Sequence, residues 1–137
     1  MGARRKAREL ALQMLFQADM SGNPPEMILG TFEELKKSNS NTREFATKIF
    51  TGTLDNLGKI DEMITAQADN WRLSRMAAVD RNIIRMSVYE FLHEDDTPKL
   101  VIIDEAIEIA KKFGTQKSSQ FINGILDGIL KKYGLAS

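Results

Sequence analysis

Cysteine is absent from this 137-residue chain, and histidine and tryptophan occur once each. The missing cysteines exclude disulfides, thiolate metal sites and a cysteine nucleophile, and they suit a reducing compartment. The lone histidine, His93, stands at the acidic end of a helical segment. Its stronger reading is a surface residue beside carboxylates, and with no cysteine the common zinc patterns are excluded. The glycines at 114, 124, 128 and 134 fall into neither a Walker nor a dinucleotide spacing, so no phosphate loop is present. No apolar run approaches the ~20 residues needed to cross a bilayer. Residues 1–20 alternate polar with apolar where a signal peptide is continuously hydrophobic. The expectation is a cytoplasmic protein with no membrane partner, no cofactor and no metal.

What is present is helical. Hydrophobic residues make up 42% of the chain, enough for one packed core. Nearly every segment repeats its apolar residues with a period near 3.6, and nothing sustains the alternation of an exposed strand. The first helix is expected over residues 3–20, with Ala7, Leu10, Ala11, Met14, Leu15 and Ala18 on one stripe. Pro24 and Pro25 open a second, with Met27, Ile28, Phe32 and Leu35 as its apolar set. A third starts near Thr42 and is expected to break at Gly58. Trp71 follows in a short connector. The segment Met76–Leu92 is helical, Pro98 restarts the chain, and Gly114 stands where a left-handed cap is wanted. Ser118 is the candidate N-cap of the last helix. Gly124 and Gly128 within that helix point to a tight helix crossing, or else to a partner's helix docking there.

The charge pattern has one local excess. The formal net charge is zero, yet Arg4, Arg5, Lys6 and Arg8 crowd the opening of the first helix; the rest carries 15 basic against 19 acidic residues. Cations there oppose the helix dipole by ~0.3–1 kcal/mol each, so another demand should hold them in place. A solvated charge run is the plain reading, and a contact to a polyanion such as nucleic acid is the functional one. Leu12 and Phe16 form a second apolar strip beside Arg5 and Glu9, fit to pack on another helix or on a partner. The carboxylates of Asp61-Glu62 and Glu94-Asp95-Asp96 read as solvated. Those of Asp104-Glu105-Glu108 are explained by ion pairs to Lys111 and Lys112 along one helix.

Four blocks together resemble one family. ARRKARELALQMLFQ, WRLSRMAAVDRNIIRMSVYE, PKLVIIDEAIEIAKKFG and SSQFINGILDGIL are similar, in order and spacing, to the NusB family of bacterial transcription antitermination factors. The resemblance covers most of the chain. It implies an all-α fold of about seven helices in two packed three-helix-like bundles, roughly residues 1–69 and 70–137 of a single RNA-binding domain, with no catalytic activity. It also implies binding of single-stranded boxA RNA together with NusE, a small-subunit ribosomal protein, and entry into the RNA polymerase elongation complex with other Nus factors.

Carried over by position, the family's arginine-rich opening falls on Arg4, Arg5, Lys6 and Arg8, which would face RNA. Its second RNA-facing region, the connector between the last two helices, falls on Phe113, Gly114, Lys117 and Phe121. Phe113 and Phe121 are also spaced as core residues, and Lys117 stands where some members carry an acid. The partner surface falls on Asp80, with Arg81 and Tyr89 beside it; the alternative is pairing within the helix, Asp80 with Arg85 or Arg81 with Glu90. Asp104 replaces the asparagine more usual in the family. A NusB-like domain also occurs in ribosomal RNA cytosine-5 methyltransferases, whose catalytic cysteine this sequence lacks. The remaining alternative is a helical protein-interaction module or homodimer whose basic end is incidental.

Overall fold

In a computed structural model describing residues 2–68 and 72–135, the chain folds into helices, with no strand among the described residues. They are α1 (Gly2–Ser21), α2 (Pro25–Thr31), α3 (Glu33–Lys37), α4 (Ser40–Asp55), α5 (Leu57–Gln67), a 3-10 turn (Leu73–Arg75), α6 (Ala78–His93), α7 (Lys99–Phe113) and α8 (Ser118–Lys132). Trp71 lies outside the described residues.

Local chemistry sets most of the boundaries. α1 ends at Gly22, whose φ of 73° suits a residue without a Cβ. Pro24 and Pro25 then occupy the N-cap and first turn of α2. The Asn39 side chain caps α4 by accepting a hydrogen bond from the Thr42 amide at 2.9 Å.

Several expected boundaries move. The second helix splits at Phe32, which takes extended backbone angles between α2 and α3. The break expected at Gly58 falls at Asn56, which caps α4 and leaves Gly58 inside α5. Gly114 has φ −100° and extended geometry, so it is no left-handed cap. Ser118 is the first residue of α8 and not its cap; its Oγ instead accepts a bond from the Thr115 amide at 2.9 Å, tightening the α7–α8 connector. The helix crossing expected at Gly124 and Gly128 is half right. Gly128 is closed over by the Gln67 side chain at the end of α5, whereas Gly124 is exposed with open space around it.

α6 is the axis of the molecule. α1, α4, α5, α7 and α8 all pack on it, and Arg81, Asn82, Ile83, Ile84, Met86, Ser87, Val88, Tyr89, Glu90 and Phe91 are buried. A helix covered on every side cannot keep a one-sided stripe, which is why charged residues come inside with it. α5, in the N-terminal half of the sequence, packs on α6 and α8, so the two halves interlock around one continuous core containing Leu10, Phe50, Ile83 and Phe91.

Candidate nucleic-acid interface

The four cations of α1 have four different environments. Arg8 is 4% exposed and Glu90, from the last turn of α6, is 1% exposed. Arg8 Nε and Nη2 donate to the two Glu90 oxygens at 2.9 and 2.8 Å. Arg5 makes the same fork with Glu105 of α7, at 2.9 and 2.7 Å, and Glu105 also stands 3.8 Å from Arg8. Lys6 lies 3.7 Å from Glu34, both exposed. Arg4 is exposed, with its guanidinium 3.9 Å from the centre of the Phe45 ring; it makes no ion pair among the described residues. The demand that holds cations against the helix dipole is therefore largely internal, since Arg5 and Arg8 tie α1 to α7 and α6. Arg8, expected to face RNA, is instead a buried strut.

Arg5–Glu105, the bond from Lys112 to Glu9 at 2.9 Å, and the cleft where Phe113 meets Leu12 and Phe16 pair rising residue numbers on both helices. α1 and α7 thus run in the same direction, bridged by long side chains and not by close helix packing. Eight residues separate Glu105 from Phe113, about 12 Å of helix. Arg5 accordingly lies on the side of the connector after α7, whereas Arg4 lies over Phe45 of α4 and Lys6 beside Glu34 of α3.

At the connector end lie two clefts. One, of about 390 Å³, is lined by Leu12, Gln13, Phe16, Gln17, Phe32, Val79 and Phe113; Leu12 is buried, and Phe16 remains 38% exposed. The other, of about 310 Å³, brings together Asp80, Lys117 and Phe121 with Arg75, Met76 and Ala77. Asp80 Oδ1 is buried there and accepts no hydrogen bond among the described residues. Lys117 is exposed and makes no ion pair among the described residues, while Gly114 and Phe121 are half-buried.

Neither Arg81 nor Tyr89 offers a partner surface. Arg81 is 9% exposed; it donates to Asp19 at 2.9 Å and to the carbonyls of Leu73 and Met76 at 3.1 and 2.9 Å, clamping the 3-10 turn. Tyr89 is buried over Gly52 and stacks on His93 with ring centres 5.0 Å apart. The alternative pairings along α6 do not form either. Arg85 binds Asp61 and Asp19, and Glu90 binds Arg8. Lys112, expected to pair along α7, reaches Glu9; Lys111 does pair with Glu108. Helical periodicity shows which side a residue occupies but not which helix lies opposite. One signal for Glu90 was available: an acid flanked by Val88, Tyr89, Phe91 and Leu92 needs a buried cation.

These pairs make stability depend on acid. Burial pushes Asp19 up, but hydrogen bonds from Arg81 and Asn82 and the charges of Arg81 and Arg85 outweigh it and hold the carboxyl below the usual range. The Arg5 hydrogen bond likewise holds Glu105 low. Each lowered carboxyl contributes stability that is complete above its unfolded pKa of about 4 and is lost as pH falls through its folded value. Glu90 acts oppositely, because burial pushes it up despite Arg8, so its protonation offsets part of the loss. Melting temperature should fall below about pH 4, and Asp19→Asn should flatten that fall; thermal melts from pH 7 to 3 measure both.

The sequence model of the NusB family matches residues 5–131. The chain belongs to the NusB family. Transcription antitermination proteins NusB of Trichlorobacter lovleyi, Geobacter sulfurreducens and Sorangium cellulosum are 49%, 48% and 40% identical to it. They align over 93%, 94% and 98% of this chain and 89%, 94% and 96% of their own. T. maritima NusB superposes with TM-score 0.85 at 40% identity, covering 94% of this chain and 91% of that one. The chain in a crystal structure of antitermination factors NusB and NusE in complex with dsRNA superposes with TM-score 0.86 at 27% identity, covering 97% and 99%. These relatives are transcription antitermination proteins and not enzymes, and the NusB of the last structure is held with NusE and dsRNA. No helix among the described residues is long and apolar enough to cross a membrane.

Proposed function

We propose that this protein binds single-stranded boxA RNA of ribosomal RNA operons together with NusE in the cytoplasm, and joins the elongating RNA polymerase with other Nus factors to suppress termination. The observation that carries this reading is a pair of exposed cations without ion pairs among the described residues, Arg4 at the start of α1 over Phe45 of α4 and Lys117 in the α7–α8 connector. Cations of that kind gain most from phosphates by releasing counterions. Lys6 adds exposed charge beside α3, and Gly114, flanked by Phe113 and Phe121, belongs to the connector against which unpaired bases would lie. The NusB–NusE structure with RNA supports both classes of partner. Asp80, which lines the cleft beside the connector, is the acid through which NusE would dock.

Fluorescence anisotropy with a boxA-type RNA and a scrambled control, with and without NusE, across a salt series, tests the reading. The expected result is preference for boxA that tightens with NusE. Arg4→Ala should reduce the salt slope by about 0.7, the value of one phosphate on a single strand. Equal weak binding of both RNAs, indifferent to NusE, would leave a helical protein-interaction module as the better account.

The cleft beside Phe16 favours a second state. A homodimer joined there would cover the exposed ring and part of the α1–α7 face. Sedimentation with and without RNA decides: dissociation by RNA is expected, and a monomer at all concentrations ends the idea.

A further inference from the structure

Arg5 and Glu105 differ from an ordinary surface pair in what they leave exposed. Arg5 Nε and Nη2 each donate one bond to a different Glu105 oxygen. A guanidinium has five N–H donors, so three remain, on Nη1 and the outer side of Nη2. The Arg5 side chain is 37% exposed and that of Glu105 5%. Glu105 is thus buried against the protein while the Arg5 side chain stays partly open to solvent.

The charge argument runs the same way. Glu105 is held in its ionised form by the Arg5 hydrogen bond, so the pair carries no net charge and gains little from counterion release. Arg4, four residues of chain away from Arg8 and unpaired with any acid among the described residues, has the opposite profile. A fixed fork with its charge cancelled is poor at phosphate attraction but good at direction. Its outer edge presents two adjacent N–H groups, which match the O6 and N7 acceptors of guanine.

We infer that Glu105 makes Arg5 a base reader: Arg5 touches the Hoogsteen edge of an unpaired guanine in the bound RNA, and Glu105 is the positioning residue that orients it. This rests on the RNA-binding reading above. It divides labour along α1, with Arg4 and Lys6 supplying sequence-independent attraction, Arg5 supplying discrimination, and Arg8 holding the helix down.

The test compares boxA-type RNA with the same RNA carrying 7-deazaguanosine, which lacks the N7 acceptor, and with the scrambled control. The proteins are wild type, Glu105→Gln and Arg5→Lys, each checked for folding by circular dichroism. Wild type should lose on the order of tenfold in affinity for the 7-deaza RNA. Both variants should be indifferent to that change, because lysine has no fork and an unbuttressed arginine has no fixed edge. Glu105→Gln should also bind scrambled RNA more tightly, with a salt slope steeper by about 0.7 from the freed cation.

If wild type does not distinguish boxA from the scrambled RNA, the antitermination reading fails and this inference with it. If wild type distinguishes them but ignores the 7-deaza change, or if the variants remain as sensitive to it as wild type, this inference alone is overturned. Should Glu105→Gln fail to fold, Arg5→Lys decides between those outcomes.

Discussion

Arg8→Ala is expected to cost about 3–5 kcal/mol of stability while leaving the salt slope of RNA binding by the folded protein unchanged. The reason is geometry. Arg8 and Glu90 are 4% and 1% exposed and satisfy one another through two bonds. Removing the guanidinium leaves a carboxylate in the last turn of α6 with water excluded. Urea denaturation gives the stability, and anisotropy at a temperature where the variant is folded gives the slope. Replacing both partners by apolar residues, Arg8→Met with Glu90→Leu, should recover most of the loss, since the interior then holds no unpaired charge. A fall in slope comparable to that of Arg4→Ala would mean that Arg8 leaves its partner to meet a phosphate.

Tyr89→Ala should cost about 3–5 kcal/mol, as for other large buried aromatic residues, without weakening the affinity of the folded protein for NusE. The ring lies directly over Gly52 of α4, where an added Cβ would collide with it. Gly52→Ala alone should therefore destabilise by about 1–3 kcal/mol, despite the ~1 kcal/mol that alanine brings to a helix. In the double variant the collision is gone and the new methyl occupies part of the vacated space. The two costs should then fall short of their sum by at least ~0.5 kcal/mol, which a double-mutant cycle on denaturation midpoints measures. Full additivity would show that the ring already sits elsewhere. A loss of NusE binding by folded Tyr89→Ala would return this residue to the partner surface.

How far the site could be read in advance varies from helix to helix. α1 carries its stripe plainly, and Ala7, Leu10, Ala11, Met14 and Leu15 are buried as their spacing demands, whereas Leu100, spaced to join Ile103 and Ala106 on the stripe of α7, is exposed at the start of that helix. α6 was placed correctly as a helix, but its charged residues were assigned to the surface or to each other. Its polar positions in fact point at α1, α5 and the 3-10 turn, at sequence separations of up to 82 residues. Periodicity within one helix contains no information about those neighbours. Gly124 and Gly128 show the same limit. Identical residues four apart in α8 meet open space in one case and the end of α5 in the other.

The sequence by itself determined the helices, the absence of cysteine chemistry, the family, and the concentration of cations at the start of α1, because these depend on local composition, spacing and order. Only the tertiary structure decided which of those cations remain available. An arginine and an acid find each other wherever packing excludes water, since neither can be buried alone. Once Glu90 and Glu105 come to lie beside α1, Arg8 is committed to the core, Arg5 is paired but partly exposed, and Arg4 stays open to solvent.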